Sequence, residues 1–157
     1  SYCDGVQNLP VPYLNLTVSG LGTVTTNSAG DWSIAGTGGN RTVTAAMLGP
    51  YVTVFNFNGA EAAYSGTAQE DVPLTVDWTA TNSRADERDT FDSISKVHDF
   101  FELFDPGYYY SNAHINAYVN RNDGYCPGNA WWDGTINFCA AVAMSSLRPM
   151  CDHSPSR

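Results

Sequence analysis

An α+β fold dominated by β structure is what this sequence predicts, and three observations carry that reading. Short segments of alternating apolar and polar residues recur through residues 1–82, broken by Gly-, Asn- and Pro-containing turns. A single helical stripe of aromatic and aliphatic residues follows them, at Phe91, Ile94, Val97/His98, Phe101 and Phe104. The composition agrees, since Gly 14, Tyr 9 and many Thr favour strands and turns over long helices. The expected architecture is an antiparallel sandwich-like lobe over 1–82, then one amphipathic helix, then a small strand and hairpin region.

Each element has its own signal. Leu14, Leu16 and Val18 alternate with Asn15, Thr17 and Ser19, which predicts a half-buried strand. Gly20 and Gly22 punctuate it, Val24-Thr25-Thr26 continues, and Asn27-Ser28-Ala29-Gly30 reads as a turn. Trp32 and Ile34 begin the next expected strand, and Gly36 to Asn40 forms a loop. Thr42 to Leu48 is a strand stopped by Gly49-Pro50, and Tyr51 to Phe57 is another, ended by the hairpin-type turn Asn58-Gly59. Leu74, Val76 and Trp78 alternate and predict a last strand of this lobe. Turn signals at roughly 8–12-residue spacing fit a small sandwich.

The polar stretch from Asn82 to Thr90 is the expected boundary, dividing a β-rich lobe (1–82) from a second region (83–139). A helix is predicted from Thr90 to Phe104, with Asp89 or Thr90 as its cap and Asp105-Pro106-Gly107 as its stop. His114 to Arg121 reads as a strand, and Asn129 to Cys139 as a hairpin or bent strand around Asp133-Gly134. Residues 140–157 form an irregular tail with no period.

Composition also excludes partners. At 157 residues with 43% hydrophobic and 15% charged content, the chain is globular, with room for one core or two small lobes. A net charge of −9 with Lys96 as the single lysine argues against nucleic acid and anionic membranes, both of which need a basic patch. No apolar run approaches the roughly 20 residues that span a bilayer. An even cysteine count (Cys3, Cys126, Cys139, Cys151) without C-x-x-C predicts a secreted, disulfide-bonded protein. Three pairings are open. Cys126–Cys139 is preferred because it staples the loop before the Trp pair to the strand after it, leaving Cys3–Cys151. Asn15-Leu16-Thr17 and Asn40-Arg41-Thr42 are glycosylation sequons, relevant in a eukaryotic secretory pathway.

The candidate site is Asn129-Ala130-Trp131-Trp132-Asp133-Gly134. It follows a helix bearing Val97-His98-Asp99-Phe100-Phe101, then Ile115-Asn116-Ala117-Tyr118-Val119, then Gly124-Tyr125. This order, over residues 90–139, resembles the region just before the zinc site of thermolysin-like metallopeptidases, and Tyr125 to Cys139 looks like secreted bacterial members of that group. The resemblance implies a zinc-dependent endopeptidase acting on protein or peptide substrates, in which the strand with Asn129, Ala130, Trp131 and Trp132 pairs with the substrate backbone. An exposed strand edge holds an extended peptide by β-augmentation. The Asn129 amide offers both a donor and an acceptor, and Ala130 lets a second backbone approach. Trp131 and Trp132 point to opposite faces, so one can anchor while the other shapes a cleft wall.

The zinc helix of that family carries H-E-x-x-H, and this sequence has none. His98, His114 and His153 stand too far apart for a helical zinc pair. No catalytic residue and no metal ligand is therefore assigned here. Zinc belongs to the full-length protein, whose C-terminal catalytic segment becomes a required partner. Asn120, Asn122, Asp123 and Gly124 give a faint calcium-loop pattern with too few carboxylates. The tail after Cys139 matches nothing expected before a zinc helix, which suits either a lost coding frame or a truncation. Loss of the helix leaves apolar surface on the Phe91–Phe104 helix and the Trp strand, and predicts aggregation. The alternative reading is a secreted β-sandwich binding module, with Trp131, Trp132 and Tyr108–Tyr110 as an aromatic platform for carbohydrate or protein. The stretch from Thr25 to Ile34 resembles one hairpin of transthyretin-like or carboxypeptidase-regulatory-like sandwich modules.

Overall fold

The computed structural model describes residues 9–36 and 38–141. Cys3, Cys151 and His153, with the Cys3–Cys151 pairing, lie outside the described residues.

Among the described residues, two four-stranded sheets and one long helix make a mostly β, α+β architecture. The first sheet holds β1 (Asn15–Val18), β2 (Gly22–Thr25), β3 (Arg41–Ala46) and β5 (Ala63–Ala68), all antiparallel, in the order β2-β1-β3-β5. The second holds β4 (Val52–Asn56), β6 (Ile115–Arg121), β7 (Ala130–Trp132) and β8 (Ile136–Cys139), in the order β4-β6-β8-β7. Its first three strands run parallel, and β7 is antiparallel to β8. The helix α1 (Ala85–Phe104) packs on β4 and β6, and a one-turn helix α2 (Tyr109–Asn112) follows it.

Alternation places the core as the sequence requires. Leu14, Leu16 and Val18 are buried while Thr17 and Ser19 are exposed, and Val43 lies buried opposite Val18. Val52, Val54, Ala117 and Val119 are buried on the face that meets α1, where Phe91 completes the same core. The two sheets join at Met47-Leu48: Asn15 N–H donates to the Leu48 carbonyl at 2.9 Å and Val54 N–H to the Met47 carbonyl at 2.9 Å. A Cβ on Gly49 would lie 2.1 Å from the Tyr13 carbonyl oxygen, so only glycine admits this close crossing.

Several expectations are corrected. Asn58-Gly59 does not close a hairpin, because β4 joins the second sheet and β5 the first. Residues 32–34 and 74–78 form no strand, although their burial alternates residue by residue. β5 was not expected: Gly66 interrupts its alternation, and pairing with β3 rather than apolar content makes the strand. The parallel β4–β6 pairing and the shared core cross the expected boundary at residue 82.

The helix also begins earlier, at Ala85, with Arg84 rather than Asp89 or Thr90 at its cap. Glu87, fully buried, explains the start. Its carboxylate accepts the Arg84 N–H at 2.7 Å, as the third residue of a capping box does, and the Ala62 N–H at 2.9 Å. The helix end at Asp105 matches the expectation.

Candidate functional site

Strand β7 is the outermost strand of the second sheet. Cys139 N–H donates to the Asn129 carbonyl at 3.0 Å and Asp133 N–H to the Thr135 carbonyl at 3.3 Å. In an antiparallel pair the backbone groups alternate between the partner and the outside. Asn129, Trp131 and Asp133 therefore turn their backbone groups to β8, and Ala130 and Trp132 turn theirs outward. Among the described residues no strand pairs with that outer edge. The Asn129 side chain bends back, its Oδ1 accepting the Ala130 N–H at 2.9 Å. The outward set is then the Ala130 carbonyl and both backbone groups of Trp132.

The two tryptophans do point to opposite faces. Trp132 lies across from Ile136, which lies across from buried Ala117, so it stands on the α1 side of the sheet. It is 61% exposed, because α1 covers β4 and β6 and does not reach β7 or β8. Trp131 lies on the other face. Its Nε1 donates to Asp133 at 3.1 Å, and its ring meets Tyr125 edge-on at 5.4 Å.

A polar network fixes this hairpin, and its central residues, Arg121 and Asn137, carried no motif signal. A bulge between Tyr118 and Arg121, with Asn120 at φ 57°, re-aims Arg121. Its guanidinium grips Asp123 through two bonds of 2.8 Å, donates to Asn137, and lies 4.3 Å over the ring of Phe57 and 4.9 Å over Trp131. Asn137 has no exposed surface, and its amide donates to Asp133 at 3.1 Å. Hydrogen bonds from Thr135, then Trp131 and Asn137, hold the Asp133 carboxyl below the usual carboxylate value. The Cys126–Cys139 disulfide, with a Cα separation of 5.4 Å, closes the loop carrying β7, as the preferred pairing expected.

The remaining candidates are placed elsewhere. His98 is buried in α1, stacked on Tyr51 at 3.5 Å, with Nδ1 3.0 Å from the Ser111 carbonyl. His114 bonds the Pro50 carbonyl at 3.0 Å and Thr53 at 2.9 Å. Asn120 donates to Asn56 and to the Asn58 carbonyl, and Asp123 is taken by Arg121. Among the described residues no three His, Cys, Asp or Glu side chains gather to hold a metal ion, so they do not fit a zinc centre. No helix among them is long and apolar enough to cross a membrane. Tyr109 and Tyr110 meet at 80°, and Tyr108 and Tyr110 at 57°, so these rings form no flat platform.

No protein-family model, curated protein or solved structure matches this chain.

Along α1 the buried stripe runs through Glu87, Phe91, Ser95 and His98. On one flank Asp99 accepts a hydrogen bond from Tyr13, whose ring packs on Tyr51 just before β4. The opposite flank carries exposed Val97, Phe100 and Phe104, one helical turn apart.

Proposed function

We propose that this chain supplies the substrate-binding edge strand of a secreted endopeptidase of the thermolysin-like type, with β7 receiving an extended peptide. The observation that carries the reading is the free outer edge of Asn129-Ala130-Trp131-Trp132, with the Ala130 carbonyl and the Trp132 N–H and carbonyl directed outward. A peptide added there forms a new antiparallel ladder, and main-chain hydrogen bonds supply its affinity. The disulfide supports an oxidising, extracellular setting.

The bond-breaking chemistry lies outside these residues. A catalytic segment carrying H-E-x-x-H is the partner this reading requires, and the exposed Val97, Phe100 and Phe104 of α1 and the exposed Trp132 of β7 offer apolar surface for its helix. Such a helix would also cover Trp132.

The test is amide hydrogen exchange with a short valine-rich peptide in excess. Protection centred on the Trp132 amide, lost when the peptide is N-methylated at every second residue, is the expected result. Unchanged exchange at Trp132 removes the edge-strand reading.

A further inference from the structure

Beside the first sheet, away from β7, two extended chain segments border a cavity. The cavity, of about 1080 Å³, opens beside that sheet, over Trp32, Ile34, Leu74 and Val76, which pack on the buried Leu14 and Val18 beneath. Its size is at the upper end of small-ligand pockets, which run to roughly 1,000 Å³.

Two chain segments form its walls, residues 31–36 and 69–77. Both have the sequence pattern of strands. In both, burial alternates with period two: Trp32 and Ile34 on one wall, and Leu74 and Val76 on the other, are half-buried between exposed neighbours. That period is the mark of extended backbone. Yet no backbone–backbone hydrogen bond joins residues 32–36 or 73–78 to any described residue. The Thr75 carbonyl accepts from the Tyr64 hydroxyl and the Asp77 carbonyl from the Asn82 amide, and these are side-chain bonds only. A half-buried backbone normally finds partners for its donors and acceptors. Here two such backbones face one another across a gap, held together at one end where Gly38 N–H donates to Glu70 at 3.0 Å.

The rim of the gap has a sign. Asp31, Glu70, Asp71 and Asp77 line it, all exposed, against Arg41 as the one basic residue in the lining.

We propose that this trench takes an extended strand of a partner polypeptide, alternating apolar side chains toward the half-buried Trp32, Ile34, Leu74 and Val76 with basic side chains toward the acidic rim. The incoming strand pairs with residues 32–36, with 73–78, or with both, and so makes a second sheet over the first. The site is independent of β7, and its residues are separate from those of the proposed substrate edge.

The experiment is residue-resolved hydrogen exchange on the full 157-residue chain, with an eight-residue peptide of alternating valine and lysine. A block peptide of the same composition, four valines then four lysines, controls for charge alone. Expected is slowing of about tenfold or more at amides within 32–36 and 73–78, the effect of one to two net backbone hydrogen bonds. The block peptide leaves these amides unchanged. N-methylation of every second residue of the alternating peptide, which removes one edge of donors without touching the protein, abolishes the protection. An alternating valine and glutamate peptide binds at least about tenfold more weakly under the same charge argument.

Four outcomes overturn the proposal: unchanged exchange with the alternating peptide, equal protection by the block peptide, protection that survives N-methylation, or equal protection by the acidic peptide. So does protection of 32–36 and 73–78 in the free protein. If that protection rises with protein concentration, a second copy fills the trench; if it does not, the chain's own residues do. Protection confined to the Trp132 amide speaks for the β7 edge alone and against this site.

Discussion

Glu87, with no exposed surface, accepts the backbone N–H of Ala62 at 2.9 Å. This bond ties the first turn of α1 to the approach of β5, and its second oxygen caps the helix through Arg84. Glu87→Gln keeps the size but turns one acceptor into a donor that faces an N–H. It should cost about 1–3 kcal/mol, the penalty for one unsatisfied buried group, and Glu87→Ala should cost more. Urea denaturation at neutral pH measures both. A Gln variant as stable as the parent would show that the carboxylate does not anchor the helix.

The hairpin network predicts an acid-sensitive edge. The Asp133 carboxyl titrates below its ordinary 3.8 because Thr135, Trp131 and Asn137 donate to it. A group whose folded pKa is depressed contributes stability that is present above the unfolded value and is lost as pH falls through the folded one. The hairpin should therefore hold at pH 5 and above, and loosen below about pH 4. Thr135→Val, which removes the largest contribution, should move the Asp133 midpoint back toward 3.8 in a side-chain carboxyl NMR titration. An unmoved midpoint would place the cause elsewhere.

Cys126 and Cys139 are 13 residues apart, and the loop they close contains β7. Loop-closure entropy for such a span is about 3 kcal/mol. Replacing both by serine should lower stability by about that amount in a chemical denaturation midpoint. It should also speed exchange at Trp131, whose N–H faces β8. Loss of global stability without faster exchange there would mean that Arg121 and Asn137 hold the hairpin by themselves.

How far the sequence discloses this molecule depends on the range of the forces involved. Strands β1, β3, β4 and β6 were legible because one face of each is buried and the alternation records it, Leu16 against Thr17 being the plainest case. The β7–β8 hairpin and its disulfide are local in sequence and were equally legible. The true start of α1 is hidden in the sequence because Asp86, Glu87, Arg88 and Asp89 look like a solvated linker. The buried bond of Glu87 to Ala62 comes from tertiary contact. The β4–β6 pairing joins Val54 to Ala117, far apart along the chain with β5 and α1 between them, and no short-range pattern reports it. At the site, Asn129 to Trp132 stood out as a motif. Arg121 and Asn137, which position them, did not, because an Arg after a strand and an Asn within one are ordinary until a bulge brings them together.

Tyr13 offers a test at the other end of the pH scale. Burial first, and then the hydrogen bond to Asp99, push its phenol from 10.0 up to about 12. With the folded value above the unfolded one, the native state keeps its proton longer, and stability falls as pH rises between 10.0 and about 12. Asp99→Asn should lower the Tyr13 midpoint in an ultraviolet phenolate titration without returning it to 10.0, since burial remains. A full return would assign the whole shift to Asp99.

The apolar flank of α1 predicts behaviour in solution. Val97 is 53% exposed, Phe100 57% and Phe104 72%, and Trp132 adds a fourth large exposed side chain on the α1 side of the sheet. Phe91, by contrast, is buried in the core, so the uncovered surface begins only past the helix midpoint. Exposed apolar surface of this kind drives association when nothing covers it. Phe100→Glu with Phe104→Glu should shift the protein toward monomer in light scattering. Stability should change by only about 0.5 kcal/mol per site, because neither side chain is buried. If the flank is also where a catalytic segment docks, the same double variant must lose association with a co-expressed segment bearing H-E-x-x-H, whereas Asp92→Asn on the opposite flank must not. Improved solubility with undiminished association would keep the aggregation argument and remove the docking role of this flank.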